Sequence, residues 1–116
     1  MQAKRIVALF DVDQTLTPAR NSIQKSMIDT LDALVAKGIA VGIVSGSDLN
    51  KIKEQVGDEL VQKADFTFSE NGLYSLKKGE FFASRSFREE LGEVKLKRFI
   101  NFTLRYLSDL DIPVKR

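Results

Sequence analysis

Ile6-Val-Ala-Leu-Phe10, followed at once by Asp11-Val-Asp-Gln-Thr-Leu-Thr17, is the stretch that decides the fold. A short, unbroken apolar run ending at a carboxylate is the pattern of a strand buried on both faces of a parallel sheet. Downstream, Ile23, Met27, Leu31, Leu34 and Val35 recur at helical spacing between Ser22 and Lys37, with Asn21 or Ser22 as N-cap and Gly38 as the stop. Ile39-Ala-Val-Gly-Ile-Val44 is a second apolar run. Strand, helix and strand together make a right-handed crossover unit of the α/β class.

The rest of the chain continues in kind. Ser47 or Asp48 caps a further helix in which Leu49, Ile52 and Val56 share a face before Gly57, and Leu60 and Val61 carry on the packing. Phe66-Thr-Phe68 reads as a third strand, and the Asn-Gly pair in Ser69-Glu-Asn-Gly72 favours a turn with positive φ. A β-hairpin is expected near residues 73–83 around Lys77-Lys-Gly79, then a helix near residues 94–108 with Leu96, Phe99, Ile100, Thr103, Leu104 and Leu107 on one face. No internal repeat or low-complexity tract interrupts residues 1–116, which read as one domain or a piece of a larger one.

Composition narrows the chemistry. Eighteen basic against 16 acidic residues leave a net charge of +2, too weak to point to nucleic acid. The chain has no Cys and no His, which excludes disulfides, thiolate zinc, His-ligated metals, Cys phosphatases and Ser-His-Asp triads. A nucleophile or general base must then be Asp, Glu, Ser, Thr, Tyr or Lys, and a metal must be a hard cation held by oxygen, with magnesium first. No apolar run reaches the length of a signal segment or a membrane span, so a cytoplasmic protein with no membrane partner is expected.

Ligands of open α/β sheets bind beyond the carboxyl ends of the strands, which directs attention to Asp11–Thr17 and Ser45–Asp48. Asp11 and Asp13 stand two residues apart, and a bend after Asp11 brings both carboxylates to one pocket. There they repel, and one has a raised pKa unless a cation sits between them. Magnesium answers that requirement and also neutralises a phosphate ligand.

Asp11-Val-Asp-Gln-Thr-Leu-Thr17 after an apolar strand resembles the first motif, DxDxT, of the haloacid dehalogenase superfamily. The closer resemblance is to the eukaryotic phosphomannomutase family. It rests on Phe10-Asp-Val-Asp…Thr-Leu-Thr-Pro-Ala-Arg20, Ser45-Gly-Ser-Asp48, Ser69-Glu-Asn-Gly-Leu73 and Asp109-Leu-Asp-Ile-Pro-Val-Lys-Arg116, in that order. It runs along nearly the whole chain and covers the family's N-terminal half. The fold it implies is a Rossmann-like haloacid dehalogenase core, a three-layer α/β/α parallel sheet, incomplete here because the cap domain and the second half of the core lie outside this sequence.

The resemblance implies roles residue by residue. Asp11 is the phosphorylated nucleophile and Asp13 the general acid/base; magnesium takes a carboxylate oxygen of Asp11 and the main-chain carbonyl of Asp13. Arg20 contacts substrate, and Ser45, Gly46 and Ser47 hold phosphoryl oxygens. The implied reaction interconverts mannose 6-phosphate and mannose 1-phosphate through a phospho-aspartate and a hexose bisphosphate intermediate, feeding GDP-mannose biosynthesis. Family members form homodimers through the cap.

Read from the residues themselves, several roles stay open. Arg20 is also a plain solvated loop residue, Ser47 and Asp48 serve equally as helix caps, Thr15 either bonds near the phosphate or only fixes the loop, and Glu70-Asn71-Gly72 is more structural than catalytic. Two departures from the family pattern stand out: Gln14 and Ser45 where the family carries Gly. A Cβ at residue 14 strains any positive φ there. Two other functions remain alongside the mutase: a magnesium-dependent sugar phosphatase of the same superfamily, and a non-catalytic paralogue. Since the absent strands flank the first strand in the superfamily topology, an open apolar edge with poor solubility or self-association is expected.

Overall fold

The computed structural model of the chain describes residues 5–114. Residues 1–4, and Lys115 and Arg116 of the Asp109–Arg116 stretch, lie outside the described residues. The chain divides into two compact units, one ending at Ser84 and one beginning at Arg85, where the sequence alone suggested a single partial core.

The first unit holds β1 (Val7–Asp11), α1 (Lys25–Ala36), β2 (Ala40–Val44), α2 (Leu49–Val56), α3 (Asp58–Lys63), β3 (Phe66–Ser69), β4 (Tyr74–Lys77) and β5 (Glu80–Ser84). The five strands form one sheet in the order β1-β2-β3-β4-β5. β1, β2 and β3 are parallel, while β3, β4 and β5 are antiparallel, so the sheet is mixed rather than purely parallel. The reason is local: Gly72 and Gly79 take φ +87° and +77°, and the chain reverses tightly at each.

One face of the sheet carries the core. Val41 and Ile43 of β2 and Leu76 of β4 pack with Leu31 of α1, Ile52 and Val56 of α2 and Leu60 and Val61 of α3, all buried. Side chains two apart in a strand share a face, so α1, α2 and α3 lie on the same side of the sheet. Two consecutive crossovers with adjacent parallel strands require this. The opposite face presents Val7 and Leu9, 48% and 58% exposed, with Phe66 and Phe68 stacked at 5.8 Å and Phe82 edge-on to Phe66. The first unit therefore has two layers, and β1 is exposed on one face and lies at the sheet edge, not buried on both faces as its composition suggested.

Element ends depart from expectation where tertiary bonds intervene. α1 starts at Lys25, not Ser22, and its N-cap Gln24 makes no side-chain cap. The cause is a 2.8 Å bond from the Ile23 N–H to the Gln55 carbonyl, which holds Ser22–Gln24 out of the helix. Asp48 rather than Ser47 caps α2, accepting the Lys51 N–H at 2.9 Å.

The second unit is a helical pair, α4 (Phe87–Leu91) and α5 (Glu93–Ser108), joined at Gly92 with φ +76°. Phe87 meets Phe99 edge-to-face at 6.4 Å, and Arg88 pairs with Glu93. α5 matches the helix expected near residues 94–108, whereas α4, of five residues, is too short to show a period. Of the anticipated face, Leu96 and Thr103 are half-buried and Phe99, Ile100, Leu104 and Leu107 exposed.

Asp65, just before β3, ties β2 to the turn between β4 and β5. Its Oδ2 accepts the Val41 N–H at 2.9 Å and its Oδ1 pairs with Lys78 Nζ at 2.9 Å. The Lys78 bond, then the Val41 N–H, hold its pKa below the ordinary carboxylate value against some desolvation. A depressed folded-state pKa contributes stability that is present above the unfolded value of about 3.9 and lost as pH falls through the folded value. Asp65→Asn should therefore lower the stability by about 1.5 kcal/mol near neutral pH, the low end for a charged hydrogen bond, and flatten the acid limb of the unfolding curve below pH about 4. Urea unfolding at pH 3 and pH 7 checks this.

The β1 edge gives a second expectation. An unpaired apolar edge beside an uncovered face promotes strand addition. Sedimentation velocity of the chain should show concentration-dependent association that Val7→Lys reduces; a single well-folded monomeric species of the parent chain at high concentration would contradict it.

Candidate active site

Register brings the carboxyl ends of the three parallel strands together: Asp11 sits opposite Val44, and Val44 opposite Phe68. The loops that follow each strand consequently emerge side by side, at the edge where open α/β sheets bind ligands.

The first loop winds round one atom. The Val12 carbonyl accepts the N–H groups of Thr15, Leu16 and Thr17 at 3.3, 3.0 and 3.0 Å and the Thr17 hydroxyl at 3.3 Å. Val12, Leu16 and Thr17 are buried, while Asp11, Asp13, Gln14 and Thr15 are exposed. The chain turns after Asp11, leaving Val12 buried between two exposed acidic residues. Gln14 takes φ +59°, so a side chain occupies the left-handed conformation that suits Gly. Thr15 fixes the loop through its main-chain N–H.

The two carboxylates differ in their surroundings. The Asp11 carboxylate accepts no hydrogen bond among the described residues, while its main-chain carbonyl accepts the Leu16 N–H at 3.3 Å. Asp13 Oδ1 accepts two, from Gln55 Nε2 at 2.6 Å and from the Arg20 main-chain N–H at 3.1 Å. The Gln55 bond first and the Arg20 N–H second, with the charges of Arg20 and Lys51 behind them, lower the Asp13 pKa against a smaller desolvation effect. The raised pKa expected of one carboxylate is therefore not found at Asp13, because donors face it. Arg20 enters the site through its backbone, at φ +54°, and its side chain is exposed.

The second and third loops are bonded to each other. The Glu70 N–H donates to the Ser47 carbonyl at 2.9 Å and the Asn71 N–H to the Ser45 carbonyl at 3.0 Å. Glu70, Asn71 and Gly72 all take positive φ. A Cβ on Gly46 would stand 3.3 Å from Asn71 Oδ1, so residue 46 is held close to the third loop. Ser45 is buried, and its Oγ accepts the Ser47 N–H at 3.1 Å. That leaves the Ser45 hydroxyl proton free to donate to a ligand. Asp48 is occupied as the α2 cap.

Sequence reasoning missed two features. Gln55 is buried at 5% exposure and reaches Asp13 from α2; its signal was a polar residue three positions after Ile52 on the apolar face of that helix. The other is a cleft of about 390 Å³ with Gln14, Thr17, Pro18 and Ala19 on one wall and Gln24 and Met27 on the other. It includes neither Asp11 nor Asp13.

A sequence model described as Eukaryotic phosphomannomutase matches residues 27–116. The chain belongs to that family. It is 47% identical to Phosphomannomutase 2 of Dictyostelium discoideum, over 99% of this chain and 46% of the relative. It is 49% identical to a phosphomannomutase of Glycine max, over 100% of this chain and 47% of the relative. Both alignments include the first loop, which the family match does not reach. The chain thus spans less than half the length of these relatives. Among solved structures it is similar to a haloacid dehalogenase-like hydrolase from B. subtilis, with a TM-score of 0.62 at 15% identity, covering 86% of this chain and 34% of that one. A sugar phosphatase of haloacid dehalogenase subclass IIB gives 0.59 at 23% identity, covering 89% and 38%. The architecture is accordingly the haloacid dehalogenase α/β core. No described helix is long and apolar enough to cross a membrane.

For a magnesium ion the donor chemistry is right in kind. Asp11 has an unengaged carboxylate, Asp13 stands two residues on, and magnesium is commonly held by one or two carboxylates with water and phosphate completing the octahedron. Among the described residues no group of three or more acidic side chains gathers there.

The Gln14 conformation yields a direct test. Gln14→Gly removes a Cβ from a left-handed residue and should stabilise the chain by about 0.5–1 kcal/mol net of the added unfolded-state freedom, while Gln14→Ala should not. Thermal unfolding of the three proteins reads the difference.

Proposed function

We propose that this chain carries the phosphoryl-transfer site of a phosphomannomutase, with Asp11 as nucleophile and Asp13 as proton carrier. The observation that supports it best is the contrast between the two carboxylates: one exposed and unengaged at the end of β1, the other tethered through a single oxygen.

The cycle starts from phospho-Asp11. The resting Asp13 is a carboxylate, since its pKa is lowered, and so begins as the base. It takes the proton of a sugar hydroxyl as that oxygen attacks phosphorus, and the bond from phosphorus to the Asp11 carboxylate breaks, giving a hexose bisphosphate. After the bisphosphate presents its other phosphate, Asp11 attacks that phosphorus in line. The phosphorus–sugar oxygen bond breaks, and the proton held on Asp13 passes to the departing oxygen. Protons and phosphoryl groups balance over one turnover, with mannose 6-phosphate and mannose 1-phosphate as the exchanged pair. The Ser45 hydroxyl, the Gly46 N–H and the Ser47 hydroxyl are the donors this reading assigns to the phosphoryl oxygens, and it assigns the Arg20 side chain to the sugar phosphate. The Asp11 carboxylate and the Asp13 carbonyl would hold magnesium, which when bound would supply positive charge to offset that of the transferring phosphoryl group. The setting is the cytoplasmic supply of GDP-mannose, and a family dimer uses parts beyond this stretch.

The structural likeness to a sugar phosphatase favours one further reading, in which water takes the place of the sugar hydroxyl. Incubation with hexose bisphosphate and magnesium should add one phosphate to the chain, lost in Asp11→Asn and seen by intact mass. With sugar phosphate present, isomerised product marks the mutase and free phosphate the phosphatase. Failure of the longest expressible form of the protein to take up phosphate marks the non-catalytic paralogue.

A further inference from the structure

Gln55 is a buried amide on the apolar side of α2, beside Ile52 and Val56, and it makes two bonds to the segment between β1 and α1. Its main-chain carbonyl accepts the Ile23 N–H at 2.8 Å, where the segment enters α1, and its side-chain Nε2 donates to Asp13 Oδ1 at 2.6 Å, where the segment leaves β1. A carboxylate only accepts, so the amide nitrogen must be the end that faces Asp13. An amide has no proton to exchange near neutral pH. It therefore fixes a carboxylate without competing in proton transfer. The Arg20 N–H converges on the same oxygen, Oδ1, at 3.1 Å, and Oδ2 has no partner among the described residues.

We propose that Gln55 is a positioning residue: together with the Arg20 N–H it saturates Oδ1 of Asp13 and leaves Oδ2 as the atom that exchanges the proton with the sugar oxygen. This rests on the function proposed above for Asp13. Because Gln55 lies on the helix capped by Asp48, it also makes the orientation of Asp13 depend on the element that follows the second loop.

The test uses the full chain, Gln55→Met, which keeps the length and removes the donor, and Gln55→Glu, which sets a second carboxylate against Asp13. Three-bond couplings to the Asp13 carboxyl carbon should report one χ1 rotamer in the parent and averaging in both variants, with α3 and β3 amide shifts unchanged. Averaging in the parent, or one unaltered rotamer in the variants, overturns the proposal. Should neither variant fold, the parent alone decides: a coupling across the hydrogen bond from Gln55 Nε2 to the Asp13 carboxyl supports the proposal, and its absence overturns it. Phosphorylation of Asp11 then separates positioning from plain structural support. Transfer from hexose bisphosphate, whose leaving oxygen needs a proton, should slow about 100-fold in Gln55→Met, while transfer from acetyl phosphate, whose carboxylate leaves unprotonated, stays within about twofold. Equal slowing of both overturns the role. A parent chain phosphorylated by neither donor refutes the nucleophile assignment instead, while the couplings still decide the tether.

Discussion

The Val12 carbonyl is the point on which this structure turns. Three main-chain N–H groups and a hydroxyl converge on it, and Val12 and Leu16 are driven into the core on either side. Burying two aliphatic side chains contributes on the order of 3 kcal/mol or more, enough to fix a loop whose exposed residues make few contacts of their own. The loop is thus an extension of the hydrophobic core rather than a flexible connection. What the core fixes at Val12, the alternation of the chain passes to its neighbours: Asp11 and Asp13 are held in water because the residue between them is not.

The same edge carries a second constraint. Glu70 and Asn71 stand in left-handed conformations, which cost of order 1 kcal/mol or more each when a side chain is present. Their N–H groups offset this by bonding to the carbonyls of Ser47 and Ser45. Two strained residues are retained where they lock the third loop to the second, and Gly46 permits the close approach. The Asn-Gly pair foretold a positive φ; the bond to the neighbouring loop, which makes Glu70 follow, was invisible in a linear reading.

That contrast is general here. β1, α1, β2 and the hairpin were legible because each is written in a local period or a Gly-bearing turn. The α1 start was not, since the carbonyl that displaces it belongs to Gln55, far along the chain. Burial of β1 on both faces was read from an apolar run, but composition records only that a face avoids water. Whether another layer covers it depends on residues elsewhere, and Val7 and Leu9 are exposed in this stretch. The site divides in the same way. Asp11 and Asp13 announce themselves as an acidic pair after a strand, whereas Gln55 is an ordinary residue until the fold carries it to Asp13.

The division of labour proposed for the two carboxylates follows from what surrounds them. A nucleophile must bring its oxygen to phosphorus and then release it, so bonds that hold both oxygens would have to break in the transition state. Asp11, at the end of β1 and with a carboxylate that accepts no hydrogen bond among the described residues, meets that requirement. A proton carrier must instead keep one orientation through two opposite transfers, because a rotated carboxyl is out of hydrogen-bond reach. Asp13 meets that one, tied through Oδ1 by the Gln55 side chain and the Arg20 backbone N–H. Under the proposed function, environment more than residue type separates two identical functional groups into two roles.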